Sequence, residues 1–126
     1  MVDVNIYLAE ALTAGGITCP ACEAPMRGDT PGPYITWEQR SLTDLHASGE
    51  IYMRQRLLLV SVYVPMGMPG WRQLQESIAY CLNNFRHYSP RMVSAAYGLT
   101  GAVDVPNIGR RCAQMMVTVR EVPDDA

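Results

Sequence analysis

The run from Arg54 to Val64 constrains the fold more than any other part of the chain. It is rich in leucine, valine and tyrosine, and a cluster of prolines and glycines from Pro65 to Gly70 closes it. Both properties are typical of a buried β-strand. Alternate residues of a strand point to opposite faces, and here both sets are largely apolar: Leu58, Val60, Val62 and Val64 on one face, and Leu57, Leu59, Ser61 and Tyr63 on the other.

Because both faces of this strand are largely apolar, both should be covered. A helix is expected to cover one of them. The second cover is either another part of the same chain or a neighbouring subunit, and the sequence leaves these two alternatives open.

A helix from Trp71 to Phe85 is predicted directly after the turn. Its apolar residues recur at steps of three and four and form one stripe, made of Trp71, Leu74, Ile78, Cys81, Leu82 and Phe85. Polar residues, Gln75 among them, are expected mostly outside this stripe. A helix with a single apolar stripe packs on a sheet, so strand, turn and helix should form one packed unit.

The remaining segments complete a single domain of residues 1–126. They are a helix from Asp3 to Ala14 that Asp3 caps and Gly15-Gly16 ends, a loop from Ile17 to Gly32, a strand from Pro33 to Arg40, a polar connection from Ser41 to Ile51, a strand from Met92 to Gly98, a connection from Leu99 to Gly109 and a strand from Arg110 to Val122.

The predicted order is therefore α-β-β-α-β-β, which gives an α+β fold. We expect a two-layer sandwich, with two helices on one face of a mostly antiparallel four-stranded sheet. Such a sheet leaves one face without a cover, and oligomerisation is the simplest way to supply one.

The connection from Ser41 to Ile51 is long for a link between two antiparallel strands, where two to five residues are usual. A polar segment of this length is either mobile or a segment that contacts another molecule. Both interpretations stay open from the sequence.

Charge and hydropathy exclude several classes of function. All ten basic residues of the 126 are arginines, they are scattered, and the net charge is −2. This distribution argues against a surface for sequence-specific nucleic-acid binding. The longest apolar run, Leu57 to Val60, is far too short to span a membrane. The N-terminus lacks the features of a signal peptide, so we expect a soluble protein that is made in a cytoplasm.

The Cys19-Pro20-Ala21-Cys22 segment is the only local motif with reactive chemistry. A redox motif of this spacing opens a helix after a strand, whereas here it follows a predicted helix end. A zinc site would use Cys19 and Cys22 but needs two more ligands, and Cys81 and Cys112 are isolated in the sequence. We therefore favour ordinary thiols and expect no metal and no cofactor, with a small thiol or zinc protein as the alternative.

No catalytic constellation is apparent. His46 and His87 could act as acid–base groups, but neither has a carboxylate or nucleophile pattern near it in sequence. Phosphate loops, nucleophile elbows and dinucleotide fingerprints are also missing from the sequence. The prediction is a protein that is not an enzyme.

The arrangement of segments carries more information than any motif. A short N-terminal helix precedes Pro33-Tyr34-Ile35-Thr36-Trp37 and a long polar hairpin; a strand, the turn from Pro65 to Gly70 and a helix opening at Trp71 follow; the last strand ends in Met115-Met116-Val117-Thr118-Val119-Arg120. This order resembles the tail terminator, or tail completion, proteins of long-tailed bacteriophages, the lambda type in particular. The resemblance extends from about Tyr34 to Val122 and is weaker at the N-terminal helix.

The resemblance implies a structural role in a virion. Such proteins form a hexameric ring that caps the tail tube, stops further addition of tube subunits and presents a surface for head attachment. The implied partners are copies of the chain, the tail tube protein and a head-completion or neck protein, with the genome passing through the ring. The implied location is the tail end of the virion near the head, and the host cytoplasm during assembly. A head–tail connector or neck protein of the same particle is the alternative.

By position, two segments are expected to reach neighbouring subunits or the tube: the Ser41 to Ile51 connection and the Leu99 to Gly109 connection. The residues expected to make these contacts lie in or beside them: Asp44, Leu45, His46, Glu50, Arg54, Arg56, Arg110 and Arg111.

Overall fold

The computed structural model describes residues 4–24, 32–84, 92–97 and 102–121. Its elements are helix α1 (Val4–Ala14), strands β1 (Ala21–Glu23), β2 (Tyr34–Ala47) and β3 (Glu50–Pro65), helix α2 (Trp71–Asn84), strands β4 (Met92–Tyr97) and β5 (Val103–Val105), a 3-10 turn (Pro106–Ile108) and strand β6 (Arg110–Glu121). The predicted cap Asp3, the stripe residue Phe85 and His87 lie outside the described residues.

The fold is α+β, but the prediction of four strands was wrong. The sheet has six strands in the order β1-β2-β3-β6-β4, with β5 also paired to β6. It is mixed, because β1 runs parallel to β2 while the other pairs are antiparallel. The two additional strands have three residues each and fall in segments predicted as loop and connection. Three residues show no periodicity, and pairing with a longer neighbour is what makes them strands.

The hairpin between β2 and β3 also differs from the prediction. Instead of a connection of about eleven residues, β2 continues to Ala47, β3 begins at Glu50, and only Ser48 and Gly49 form the turn. Both turn residues have positive φ, 54° and 81°. Turns of this kind match the twist of the paired strands. Polar composition hid the strands, because strands exposed on both faces need no apolar alternation.

One sheet face, covered by both helices, holds the core. It includes Leu58, Val60, Val62 and Val64, which share one face of the strand as predicted, and the last strand contributes Ala113, Met115, Val117 and Val119. Two residues of β2, Ile35 and Trp37, complete the sheet side, and Leu8, Ala11, Leu12, Ile78 and Leu82 pack on them from the helices. Burying these side chains on one face is the main stabilisation of the monomer.

Helix α1 ends as the sequence predicts, with separate roles for the two glycines. The Ile17 amide donates to the Leu12 carbonyl at 2.9 Å, and the Gly16 amide donates to the Thr13 carbonyl at 3.1 Å. This pattern, with Gly16 at φ 81°, is a Schellman end. Gly15 instead allows close packing: a Cβ there would lie 2.0 Å from the Cys81 sulfur of α2.

Helix α2 buries more than its apolar stripe. Gln75, which the pattern placed mostly outside the stripe, is 2% exposed, and its Nε2 donates to the Gln114 carbonyl of β6 at 3.4 Å. It lies four residues after Trp71 and three before Ile78, so its position belongs to the buried face. The prediction failed there because a polar side chain at this position can bond to a strand carbonyl.

The opposite sheet face carries no helix within the described part of the chain; we call it the helix-free face. Its described residues include Tyr34, Thr36, Leu57, Leu59, Ser61, Tyr63, Cys112, Gln114, Met116 and Thr118. Thr36 and Ser61 are buried, and the other eight are intermediate in exposure. The Gln114 amide donates to the Ser61 hydroxyl at 3.3 Å. The face is thus a mixed polar and apolar surface.

Candidate interaction surfaces

The eight predicted contact residues lie at two opposite ends of the sheet. Asp44, Leu45, His46, Glu50, Arg54 and Arg56 belong to the β2–β3 hairpin or its base. Arg110 and Arg111 pair with Pro65 and Val64 at the other end of β3. Pro65 lies eleven residues after Arg54 along the strand, a distance of about 36 Å. The structure therefore defines two candidate surfaces, not one.

The first surface is the hairpin arm, formed by Ser41–Ala47, the turn and Glu50–Met53. Strand β6 pairs with β3 only from Arg54 onward, so within the described residues the strand segment beyond Arg54 pairs with β2 alone. Three large apolar residues of the arm are exposed: Leu42 (48%), Ile51 (38%) and Tyr52 (50%). The sequence did not predict any of the three as a contact residue, because a few apolar residues in a polar segment show no periodicity.

An ion pair joins the two strands of the arm near its base. The Arg54 Nε donates to Asp44 Oδ1 at 2.8 Å. This hydrogen bond lowers the pKa of Asp44, and the charges of Arg54, His46 and Arg56 act in the same direction. The pair is partly exposed, so it aligns the strands more than it stabilises them.

Arg56 lies within the protein. It donates to Glu121 of β6 at 2.8 Å and to the Gln39 side chain at 3.2 Å, and its side chain is only 10% exposed. Its Nε is buried with no hydrogen-bond partner in the described part of the chain. In the monomer Arg56 therefore joins the base of the arm to the sheet instead of presenting its charge outward.

The second surface, the arginine end, combines arginines with aromatic rings. Arg111 donates to Asp104 of β5 at 2.7 Å, and this hydrogen bond lowers the pKa of Asp104. The guanidinium groups of Arg111 and Arg72 lie 5.7 and 4.8 Å from the centre of the Trp71 ring. Such distances allow favourable cation–π contacts.

Arg110 extends the arginine end onto the helix-free face. Its NH1 donates to the Gly32 carbonyl at 2.6 Å, and its guanidinium lies 5.3 Å from the centre of the Tyr34 ring. Tyr34 in turn stacks on Tyr63 with ring centres 4.9 Å apart. The exposed apolar residues Met66, Val103 and Ile108 lie in the same region of the chain. This end is thus basic and apolar at once.

The cysteines give no sign of activated chemistry. Cys19 packs against the core, and burial raises its pKa, which is the opposite of what a nucleophilic thiol needs. Burial likewise raises the pKa of Cys81 and of Cys112. Within the described ranges, no three His, Cys, Asp or Glu side chains converge as metal ligands, so Cys19 and Cys22 lack the two further ligands of a zinc site there.

The helices give no indication of membrane insertion. Among the residues described, neither helix is both long and apolar enough to cross a bilayer.

Comparisons with known proteins add a likeness of fold. The sequence matches no described protein family and no curated protein. Among solved structures, a chain described as "Virion of native gene transfer agent (GTA) particle" superposes with a TM-score of 0.65 at 14% sequence identity. The alignment covers 95% of each chain. At this identity the likeness concerns the fold alone, and it extends over almost the whole of both chains.

Proposed function

We propose that this protein is a structural component of a phage-like virion, and that it forms a ring that caps the tail tube. One observation carries the first part: the fold matches a chain of a gene transfer agent virion over nearly the full length of both. The finer role, a terminator that ends tube growth and offers a head-joining surface, follows from the resemblance of the segment order. It requires no catalytic group and no cofactor.

The helix-free face supports self-assembly. A sheet with helices on one side leaves Leu57, Leu59, Tyr63 and Met116 only partly covered by the described residues. Apolar surface of this kind favours association with further copies or with another virion protein. A ring of copies would cover it or turn it toward the interior.

The two ends of the sheet support the presence of two different axial partners. A cap must bind the tube on one side and a head-completion or neck protein on the other. The arm offers exposed apolar residues with Asp44, His46 and Glu50 nearby, while the arginine end offers Arg72, Arg110 and Arg111. We assign the distal part of the arm, from Leu45 through the turn to Met53, to the tube, because a projecting hairpin can reach past its own subunit.

The test uses the purified full-length chain and the tail tube protein encoded in the same genome. Sedimentation velocity and native mass spectrometry at micromolar concentration should show a closed oligomer, alone or with tube protein. Added to polymerising tube protein, the chain should shorten the tubes, as measured by electron microscopy, and should be found at one end of them.

A matched pair of variants separates the arm from general surface effects. The variant Ile51→Ser/Tyr52→Ser removes exposed apolar side chains of the distal arm and should abolish tube capping. The control Ile6→Ser/Tyr80→Ser removes two large apolar residues of the helices that are more exposed than those of the arm, and it should cap normally. A chain that stays monomeric with and without tube protein would refute the ring. An oligomer that leaves tube length unchanged would refute the terminator role.

A further inference from the structure

Two strand edges of the sheet are unpaired within the described residues. Strand β1 pairs with β2 only through Ile35, Thr36 and Trp37, so no described strand lies along the outer edge of β2 beyond Trp37. Strand β4 pairs with β6 on one side, and no described strand pairs with its other side. Unpaired edges of this length are sites at which another strand can add.

The two edges lie at the same level in the sheet. The register can be followed from β2 through β3 and β6 to β4. Two sets of paired residues, three residues apart along each strand, are Ser41–Leu57–Thr118–Ala95 and Asp44–Arg54–Glu121–Met92. The regular part of the β2 edge begins beyond the bulge between Gln39 and Ser41. It therefore lies at the same position as β4 along the strand direction.

The strand directions match as well. Each of the pairs β2–β3, β3–β6 and β4–β6 is antiparallel, so β2 and β6 run one way while β3 and β4 run the other. When two copies are placed side by side with their helices on the same face, β4 of one copy therefore meets β2 of the next in antiparallel orientation. Antiparallel pairing needs no change in either strand.

We propose that copies of this chain join edge to edge, with Ser41–Asp44 of β2 in one copy pairing with Met92–Ala95 of β4 in the next. The contact is made by backbone hydrogen bonds, and the occupant of each edge is a second copy of the chain. This inference rests on the proposed ring and specifies its lateral interface.

This contact is heterologous, since one copy contributes β2 and the other β4. A heterologous contact produces a closed ring when the rotation between copies closes. The helix layer needs more room than the sheet, so the helices should lie outside and the helix-free face should line the interior. For six copies, four strands each at about 4.8 Å give a circumference of about 115 Å and a sheet diameter of at least about 37 Å.

Hydrogen exchange tests the contact on the intact protein. Backbone amides of Ser41–Asp44 and Met92–Ala95 should exchange more slowly in the oligomer than in dilute monomer, by about tenfold or more. Amides on the exposed side of α2 should exchange at unchanged rates. An oligomer whose protection appears elsewhere, while both edges exchange as in the monomer, would overturn the edge pairing and leave the ring proposal standing.

Cysteine cross-linking tests the register. In the sheet, Thr43 and Val93 lie on one rung, through Gln55 and Arg120. A mixture of chains carrying Thr43→Cys with chains carrying Val93→Cys should form disulfide-linked dimers on oxidation. A second mixture, with Ala95→Cys in place of Val93→Cys, tests a register shifted by two residues. Each variant alone measures the background from the native cysteines.

The control mixture combines Thr43→Cys chains with Asp104→Cys chains, since Asp104 is exposed at the other end of the sheet. Its yield of disulfide-linked dimers should not exceed the background from the native cysteines. Equal cross-linking in the control and test mixtures overturns the proposed pairing. A chain that never assembles overturns both the edge pairing and the ring. If only one of the two edges is protected from hydrogen exchange, the strand that pairs with it is not a second copy of this chain. That result would point to a strand of a different protein.

Discussion

The body of the sheet and the hairpin arm are made from the same two strands, yet they differ in what covers them. In the body, β3 lies between β2 and β6, and the helices cover Leu58, Val60 and Val62. In the arm beyond Arg54, the same two strands continue with no third strand and no helix among the described residues, and Ile51 and Tyr52 stay exposed. Strand pairing alone therefore does not decide burial. A third strand and a helix layer supply it, and the described residues provide neither for the arm beyond Arg54.

The largest expected effect uses two leucines as a matched pair. Leu58 in the body is 2% exposed and Leu42 in the arm is 48% exposed. Leu58→Ala should lower the free energy of unfolding by about 3 kcal/mol, because it leaves a cavity in the core. Leu42→Ala should change it by less than about 0.5 kcal/mol. Urea unfolding followed by circular dichroism measures both, and equal losses would contradict the division between body and arm.

The Arg56–Glu121 ion pair lies where the arm joins the body, and breaking it should destabilise the protein. Arg56→Ala leaves the Glu121 carboxylate buried without its partner and should cost about 3 kcal/mol of unfolding free energy. The double variant Arg56→Met/Glu121→Leu replaces the pair with apolar side chains and should recover most of that loss. If the double variant is as unstable as Arg56→Ala, the pair contributes more than charge compensation.

A smaller effect is expected where the helices meet above the body. Gly15→Ala places a methyl group against Cys81 and should cost about 1 to 2 kcal/mol through overpacking. Cys81→Ala in the same chain should recover part of the loss, since it removes the sulfur at the contact. Gly16→Ala serves as a comparison: nothing lies within 4 Å of a Cβ there, so its cost comes from the positive φ alone.

The smallest effect concerns the arm. The hydrogen bond from Arg54 keeps the pKa of Asp44 below its usual value. A carboxyl whose pKa is lower in the folded state stabilises that state above the unfolded pKa, near about 3.9, and loses this contribution as the pH falls through the folded pKa. Asp44→Asn should therefore be slightly less stable than the parent at neutral pH. The gap should close as the pH falls through the lowered pKa of folded Asp44, as denaturant titrations at neutral pH and in acid would show.

The predicted fold and the observed one agree in the parts where periodicity is strong. The alternation in Arg110–Glu121 and the stripe of α2 gave the long strand and the helix, and the strand before Pro65 was placed correctly. The prediction missed the three-residue strands and the two-residue turn at Ser48-Gly49. Strands of three residues are too short to show a periodic pattern in the sequence, and they form because a longer neighbouring strand pairs with them.

The candidate contact residues were predictable only in part. Polar character pointed to the Ser41 to Ile51 segment, and its Asp44 and Glu50 lie on the observed arm. The sequence could not show that Arg56 is buried against Glu121, since 65 residues separate the two in the chain. It also could not show that the arm and the arginine end lie at opposite ends of the sheet.

The sequence by itself determined which residues are apolar, where the chain turns and that one strand is apolar on both faces. Those properties are local, because hydropathy, proline and glycine act within a few residues. Only the tertiary structure decided which face the helices cover, how far the arm extends and that the edges of β2 and β4 lie at one height. These follow from the register of strands distant in sequence, which pairing sets only when the whole sheet has formed.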